Sequence, residues 1–148
     1  MSRSVAAPPS PPRNLSLPSK VWLYGRVWWT CLLVLVALHR HPLPEAVVVL
    51  GRQSNRKPLP PSLLSRAVSR SLRIGAWRPR CLIRSLVLYQ LLRAQGDAAD
   101  IVIGLPHRPD SPEAHAWVEL GGYDVGPWPG RGQHVELARY PRSSASAS

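Results

Sequence analysis

One change of period organises this sequence. Up to Gly96 the apolar residues recur at helical spacing, and from Asp100 onward they alternate as side chains do along strands. Val21, Trp22, Leu23, Val27, Trp28 and the run from Cys31 to Leu38 predict one helix from about Ser19, ended near His39 by Pro42 and Pro44. A short apolar segment over 45–50 and a polar loop to about Pro61 follow. Over 62–74, Leu63, Leu64, Ala67, Val68, Leu72 and Ile74 form one face of an amphipathic helix, with Arg66, Arg70 and Arg73 on the other. Residues 79–94 are apolar almost all round, which predicts a central, buried helix with Pro79 in its first turn and Gly96 just past its end. Strands then follow at 100–105 (DIVIGL) and 114–120 (AHAWVEL), and a third begins at Tyr123. Gly121 and Gly122 between the last two suit a two-residue hairpin turn, whose central positions need positive φ. Helices first and an antiparallel sheet afterwards make an α+β domain.

The 148 residues leave room for one such domain. Pro8, Pro9, Pro11, Pro12 and Pro18 interrupt residues 1–18, which lack apolar periodicity and read as a disordered tail. The division expected is this tail, an N-terminal helical segment over 19–60, a folded α+β domain over 61–142, and a short disordered tail over 143–148. No secretory signal precedes the first helix, and its uninterrupted apolar stretch of twelve residues, Val27 to Leu38, is short of the roughly 20 that a membrane span needs. A buried or interface helix without a transmembrane span is therefore expected, with attachment to a membrane surface through Trp28, Trp29, Arg26 and Arg40 as the alternative. Cys31 and Cys81 lie fifty residues apart without CxxC spacing, which argues against a disulfide framework and a structural zinc site and fits a cytoplasmic chain. Charge is uneven: residues 1–96 hold fifteen Lys and Arg against Glu45 alone, whereas residues 97–148 hold four against seven acids. Such asymmetry suits an acidic peptide, an acidic protein or a polyanion as partner, although an arginine-rich coding bias produces the same pattern.

Cys81 falls in the first turn of the most apolar helix, where unpaired N–H groups and the helix dipole favour a thiolate, and Arg78, Arg80 and Arg84 add positive potential. The same amides could donate to the oxyanion of a tetrahedral intermediate. Cys31, in the middle of an apolar run, is expected to be inert. Alternation along the second strand puts His115, Trp117 and Glu119 on one face and Ala114, Ala116, Val118 and Leu120 on the other. A thiol at a helix start and an imidazole on a following strand are the two parts of a Cys–His hydrolase, although a buried structural thiol and a core histidine would look the same in isolation.

The segments RCLIRSLVLYQLLRAQG, DIVIGL and AHAWVELGGYDVG, at this spacing, closely resemble the transglutaminase-like domain of lasso-peptide biosynthesis B proteins over residues 60–140. The resemblance implies a transglutaminase-like, papain-like cysteine peptidase fold and a cytoplasmic enzyme that removes the leader from a lasso-peptide precursor. Cys81 carries over as nucleophile and His115 as general base. It further implies a separate leader-recognition protein and a ring-closing, amide-forming enzyme as partners; no nucleic-acid partner is expected, and nothing visible in the sequence requires a metal or other cofactor. In many relatives an acid about twelve positions after the histidine orients the imidazole, and here that position is Pro127. Asp124 is the only acid on the strand and is taken as the third member. A two-residue turn places it opposite Glu119, with His115 opposite Trp128. His134 and Glu136 belong either to a closing strand or to a cover over the site. The rival readings are acyl transfer or action on another peptide, and, in a different class, a basic binding module without catalysis.

Overall fold

Prolines set the helix starts. The computed structural model describes residues 16–54, 57–73, 81–107, 114–126 and 134–140. Helix α1 is Leu17–Arg40, α2 is Leu43–Leu50 and α3 is Pro61–Ser71, each with a proline at its first or second position. Proline suits those positions because its missing N–H would have no intrahelical partner there and its φ is already helical. That is why the short apolar segment after Pro42 and Pro44 folds as a helix, and why α1 already begins at Leu17, inside the segment expected to be a tail. Residues 1–15 and 143–148 of the expected tails lie outside the described residues.

Helix α4, Cys81–Ala94, is the hub. Leu86, Val87, Leu88, Tyr89, Leu91 and Leu92 are all at most 1% exposed. Gly96, with φ +96°, ends the helical run where a left-handed residue is needed. Burial pushes the Tyr89 hydroxyl above its ordinary pKa, and the Cβ of any larger residue at Gly51 would lie 2.7 Å from that oxygen. The loop after α2 is pinned to the end of α4: Leu59 N–H donates to Gln95 Oε1 at 3.0 Å and Gln95 Nε2 donates to the Leu59 carbonyl at 2.8 Å.

The sheet comprises β1 (Ala99–Pro106), β2 (His115–Leu120), β3 (Tyr123–Gly126) and β4 (His134–Tyr140), in the order β3-β2-β1-β4 and antiparallel throughout. Ala99, Ile101 and Val118 face the helices in one apolar core shared with α1 to α4. The turn after β2 has positive φ at Gly121 and Gly122 and pairs Leu120 with Tyr123 and Glu119 with Asp124, the register expected of a two-residue hairpin. One residue on, the register shifts and Val118 pairs with Gly126, so Val125 is the extra residue of a bulge. Ser65 of α3 donates to the carbonyl of that residue at 2.7 Å. Trp128 lies outside the described residues.

Helix α1 buries a stripe of Leu23, Val27, Thr30, Cys31, Val34 and Ala37, at steps of three and four, against the other helices. Its outward side is apolar as well, with Trp22, Trp29 and Leu32 more than half exposed. Over 24 residues, with a window of mean hydropathy 1.7, α1 is long and apolar enough to cross a membrane by length and composition, and 39% of that window is buried inside the protein. The two faces should respond differently to substitution. Val34→Ala is expected to lower stability by about 2 kcal/mol, since a buried side chain is truncated into a packed core. Trp29→Ser is expected to change it by less than about 0.5 kcal/mol, as read by urea denaturation of both variants.

Candidate active site

Two side chains of α4, one helical turn apart, meet the carbonyls of Ala114, just before β2, and Ala116, within it. Ser85 Oγ, fully buried, donates to the Ala116 carbonyl at 2.8 Å, and Cys81 Sγ lies 3.9 Å from the Ala114 carbonyl, the weak contact a thiol makes. Carbonyls along a strand point alternately to its two edges, so these two share an edge. Among the described residues the β3 ladder pairs with β2 at Val118, Glu119 and Leu120, and the carbonyls of Ala114 and Ala116 are met by α4. Cys81 is the first residue of α4, half-buried, and the residue after its backbone partner is His115, the first of β2. The thiol is thereby seated beside the start of the histidine strand, at the first described residue of α4, whereas Pro79 and Arg80, expected to begin that helix, lie outside the described residues, as does Arg78. Arg84, one turn further, is half-buried. Its Nε has no partner among the described residues and adds positive potential one turn from the thiol. Cys31 is 2% exposed in the α1 stripe, and burial pushes its thiol above the ordinary value, as suits a packing residue.

His115 stands on the sheet face turned away from the helices. Register puts Asp100, Val102 and Gly104 of β1 beside Glu119, Trp117 and His115 of β2 on that face. The His115 ring lies against Trp117, with centroids 6.1 Å apart and planes 19° apart, and against His134 of β4 at 5.1 Å and 30°. The Trp117 indole N–H donates to Glu119 Oε1 at 3.0 Å. Glu119 is 3% exposed, and its other oxygen accepts from Arg139 of β4 at 2.9 Å. Arg139 also donates to Asp100 at 3.2 Å and to Glu136 at 3.0 and 3.1 Å. The hydrogen bond to Glu136 raises the guanidinium pKa most, burial opposes it, and Glu119 adds to the rise. A cation whose folded-state value is raised contributes its stability at every pH below the ordinary arginine value and loses it only above, so Arg139 remains charged across the working range.

Asp124 is placed differently from the other two candidates. It pairs with Glu119, four residues along β2 from His115, which is roughly 13 Å at ~3.3 Å per residue, and its carboxylate accepts from the Gly126 N–H at 3.2 Å. The structure thus brings Cys81 to the strand of His115 and sets Asp124 at the far end of the same face. His134 and Glu136 belong to the closing strand, with the His134 ring against both His115 and Trp117. The Arg139 cluster was not legible in the sequence. Glu136 and Arg139 are three residues apart, which in a regular strand puts them on opposite faces, but β4 carries an extra residue, Leu137, that turns both to one side. That odd spacing beside two acids on the partner strands was the available signal.

A buried helix that presents a cysteine from its first turn to the histidine strand of an antiparallel sheet defines a transglutaminase-like domain of the papain-like α+β class. The family model of the transglutaminase-like superfamily matches residues 27–136, and the chain belongs to that superfamily. Its members are generally cysteine peptidases or acyltransferases. No curated protein and no solved structure matches the chain.

The ion pair at the far end of this face yields a stability test. Arg139→Met should destabilise the fold by about 2–4 kcal/mol, because Glu119 keeps its burial and loses its cation. Adding Glu119→Leu should recover at least half of that loss in a double-mutant cycle followed by urea denaturation.

Proposed function

We propose that the chain is a cytoplasmic cysteine peptidase that removes the leader from a lasso-peptide precursor, with Cys81 as nucleophile and His115 as general base. The observation that carries this reading is the seating of the Cys81 sulfur 3.9 Å from the Ala114 carbonyl, at the head of the His115 strand, in a chain of the transglutaminase-like superfamily. In the reaction proposed, His115 takes the thiol proton and the Cys81 thiolate adds to the carbonyl carbon of the scissile peptide bond. Amide groups at the α4 N-terminus stabilise the oxyanion. Collapse of the tetrahedral intermediate breaks the C–N bond, the imidazolium returns its proton to the leaving amine, and the leader remains as a thioester on Cys81. Water activated by His115 then hydrolyses the thioester and restores the thiol.

Lasso-peptide specificity is supported by the combination of CLIRS, DIVIGL and AHAWVE over the matched region. The partners that follow from this proposal are the precursor, a separate leader-recognition protein and the amide-forming enzyme that closes the ring. The basic balance of residues 1–96 suits an acidic partner surface. Asp124 enters as a third, through-space contributor, given its position four residues from His115 along the sheet.

Cleavage of purified precursor, followed by mass spectrometry, tests the assignment. Cys81→Ala and His115→Ala should abolish leader removal in folded protein, Cys31→Ala should leave it within about twofold, and Asp124→Ala should cost far less than His115→Ala. Wild-type rates in Cys81→Ala would refute the peptidase reading.

A further inference from the structure

The contacts on the outer sheet face form a chain that ends at His115, and its first links are fixed rigidly. A carboxylate as buried as Glu119 is tolerated only with its charge and lone pairs matched, and it is matched twice, by Arg139 on one oxygen and by Trp117 on the other. Arg139 is in turn held by Asp100 and Glu136, from two further positions on the sheet. An indole has one donor, so the bond from Nε1 to Glu119 fixes the rotation of Trp117. The opposite end of that ring is seated over Gly104. A Cβ there would come within 2.9 Å of Trp117 Cη2, 2.7 Å of the Val135 carbonyl oxygen and 3.1 Å of His134 Cβ, so only glycine leaves room for the indole. Trp117 is therefore held at both ends, and the His115 ring lies nearly parallel to it.

We propose that Glu119, anchored by Arg139, is a positioning residue that restricts the rotation of the His115 ring by way of Trp117. The inference rests on the assignment of Cys81 and His115 as the reacting pair, and it adds how the imidazole is held. A general base is effective only while its nitrogen stays within hydrogen-bond reach of the proton it takes, so an aromatic wall that limits ring rotation acts on the rate and not only on the fold. An aromatic face beside the imidazole also favours the protonated ring that forms when the thiol proton moves across. Both Glu119 oxygens are taken, one by Trp117 and one by Arg139. Its influence passes through the indole.

The test measures alkylation of Cys81 by iodoacetamide in the full chain from pH 5.5 to 9.5, read on the Cys81 peptide by mass spectrometry, with circular dichroism to confirm folding. His115→Ala sets the floor, since the base proposed to take the thiol proton is then missing. Trp117→Phe keeps a ring but removes the indole donor, and Glu119→Leu removes its acceptor. Both should slow alkylation at pH 6–7 by about tenfold, the scale on which outer partners of functional imidazoles act. Glu119→Gln keeps an acceptor oxygen for Trp117 and should stay within about threefold of wild type. If Glu119→Leu fails to fold, Trp117→Phe and Glu119→Gln decide. A wild-type neutral rate in folded Trp117→Phe, with His115→Ala slow, would overturn the positioning role alone. A wild-type rate in His115→Ala would overturn the pair and the positioning role with it.

Discussion

Everything the site does depends on how α4 is seated against β2. Ser85 spends its hydroxyl on the Ala116 carbonyl at 2.8 Å in a fully buried setting, and the helical repeat then carries Cys81, one turn earlier, to the Ala114 carbonyl. A single buried hydrogen bond of this kind is worth about 1 kcal/mol net, but leaving the Ala116 carbonyl unmatched would cost more, so the helix is locked in rotation and translation. The apolar surround of α4 does the rest. With Leu86, Val87, Leu88, Leu91 and Leu92 buried on every side, the helix has no solvent face toward which to roll.

The two faces of the sheet divide the work. The inner face, with Ala99, Ile101 and Val118, completes the core under the helices. The outer face carries His115, Trp117 and Glu119, joined by Arg139 and His134 from the closing strand, and it is polar where most small sheets would be plainly solvated. Both bulges serve this face. The extra Leu137 brings Glu136 and Arg139 to one side, and the extra Val125 ends the regular β3 ladder at Asp124, holding that acid beside Glu119.

Much of this was legible before any coordinates. The change of period gave the order of helices and strands, the all-round apolar pattern of residues 82–92 marked α4 as central, and the Gly121-Gly122 pair fixed the register that sets Asp124 opposite Glu119. Local chemistry alone separated Cys81 from Cys31. Three things were hidden, each for a physical reason. Helix α2 was obscured because prolines at a helix start look like the end of the helix before. The contact of Cys81 with Ala114 joins residues 33 apart, and no periodicity encodes which carbonyl a helix meets. Arg139 was invisible because a one-residue bulge reverses the face of every side chain beyond it.

The central claim is covalent: the bond cleaved passes through the sulfur of Cys81. Acid quenching of a single turnover with enzyme in excess over precursor, followed by digestion and mass spectrometry, reads it directly. The Cys81 peptide is expected to carry the leader as a thioester, labile to hydroxylamine, appearing with core release and decaying as free leader accumulates. A leader adduct on any other residue, or core release at full rate from protein whose Cys81 is already carboxymethylated, would contradict it.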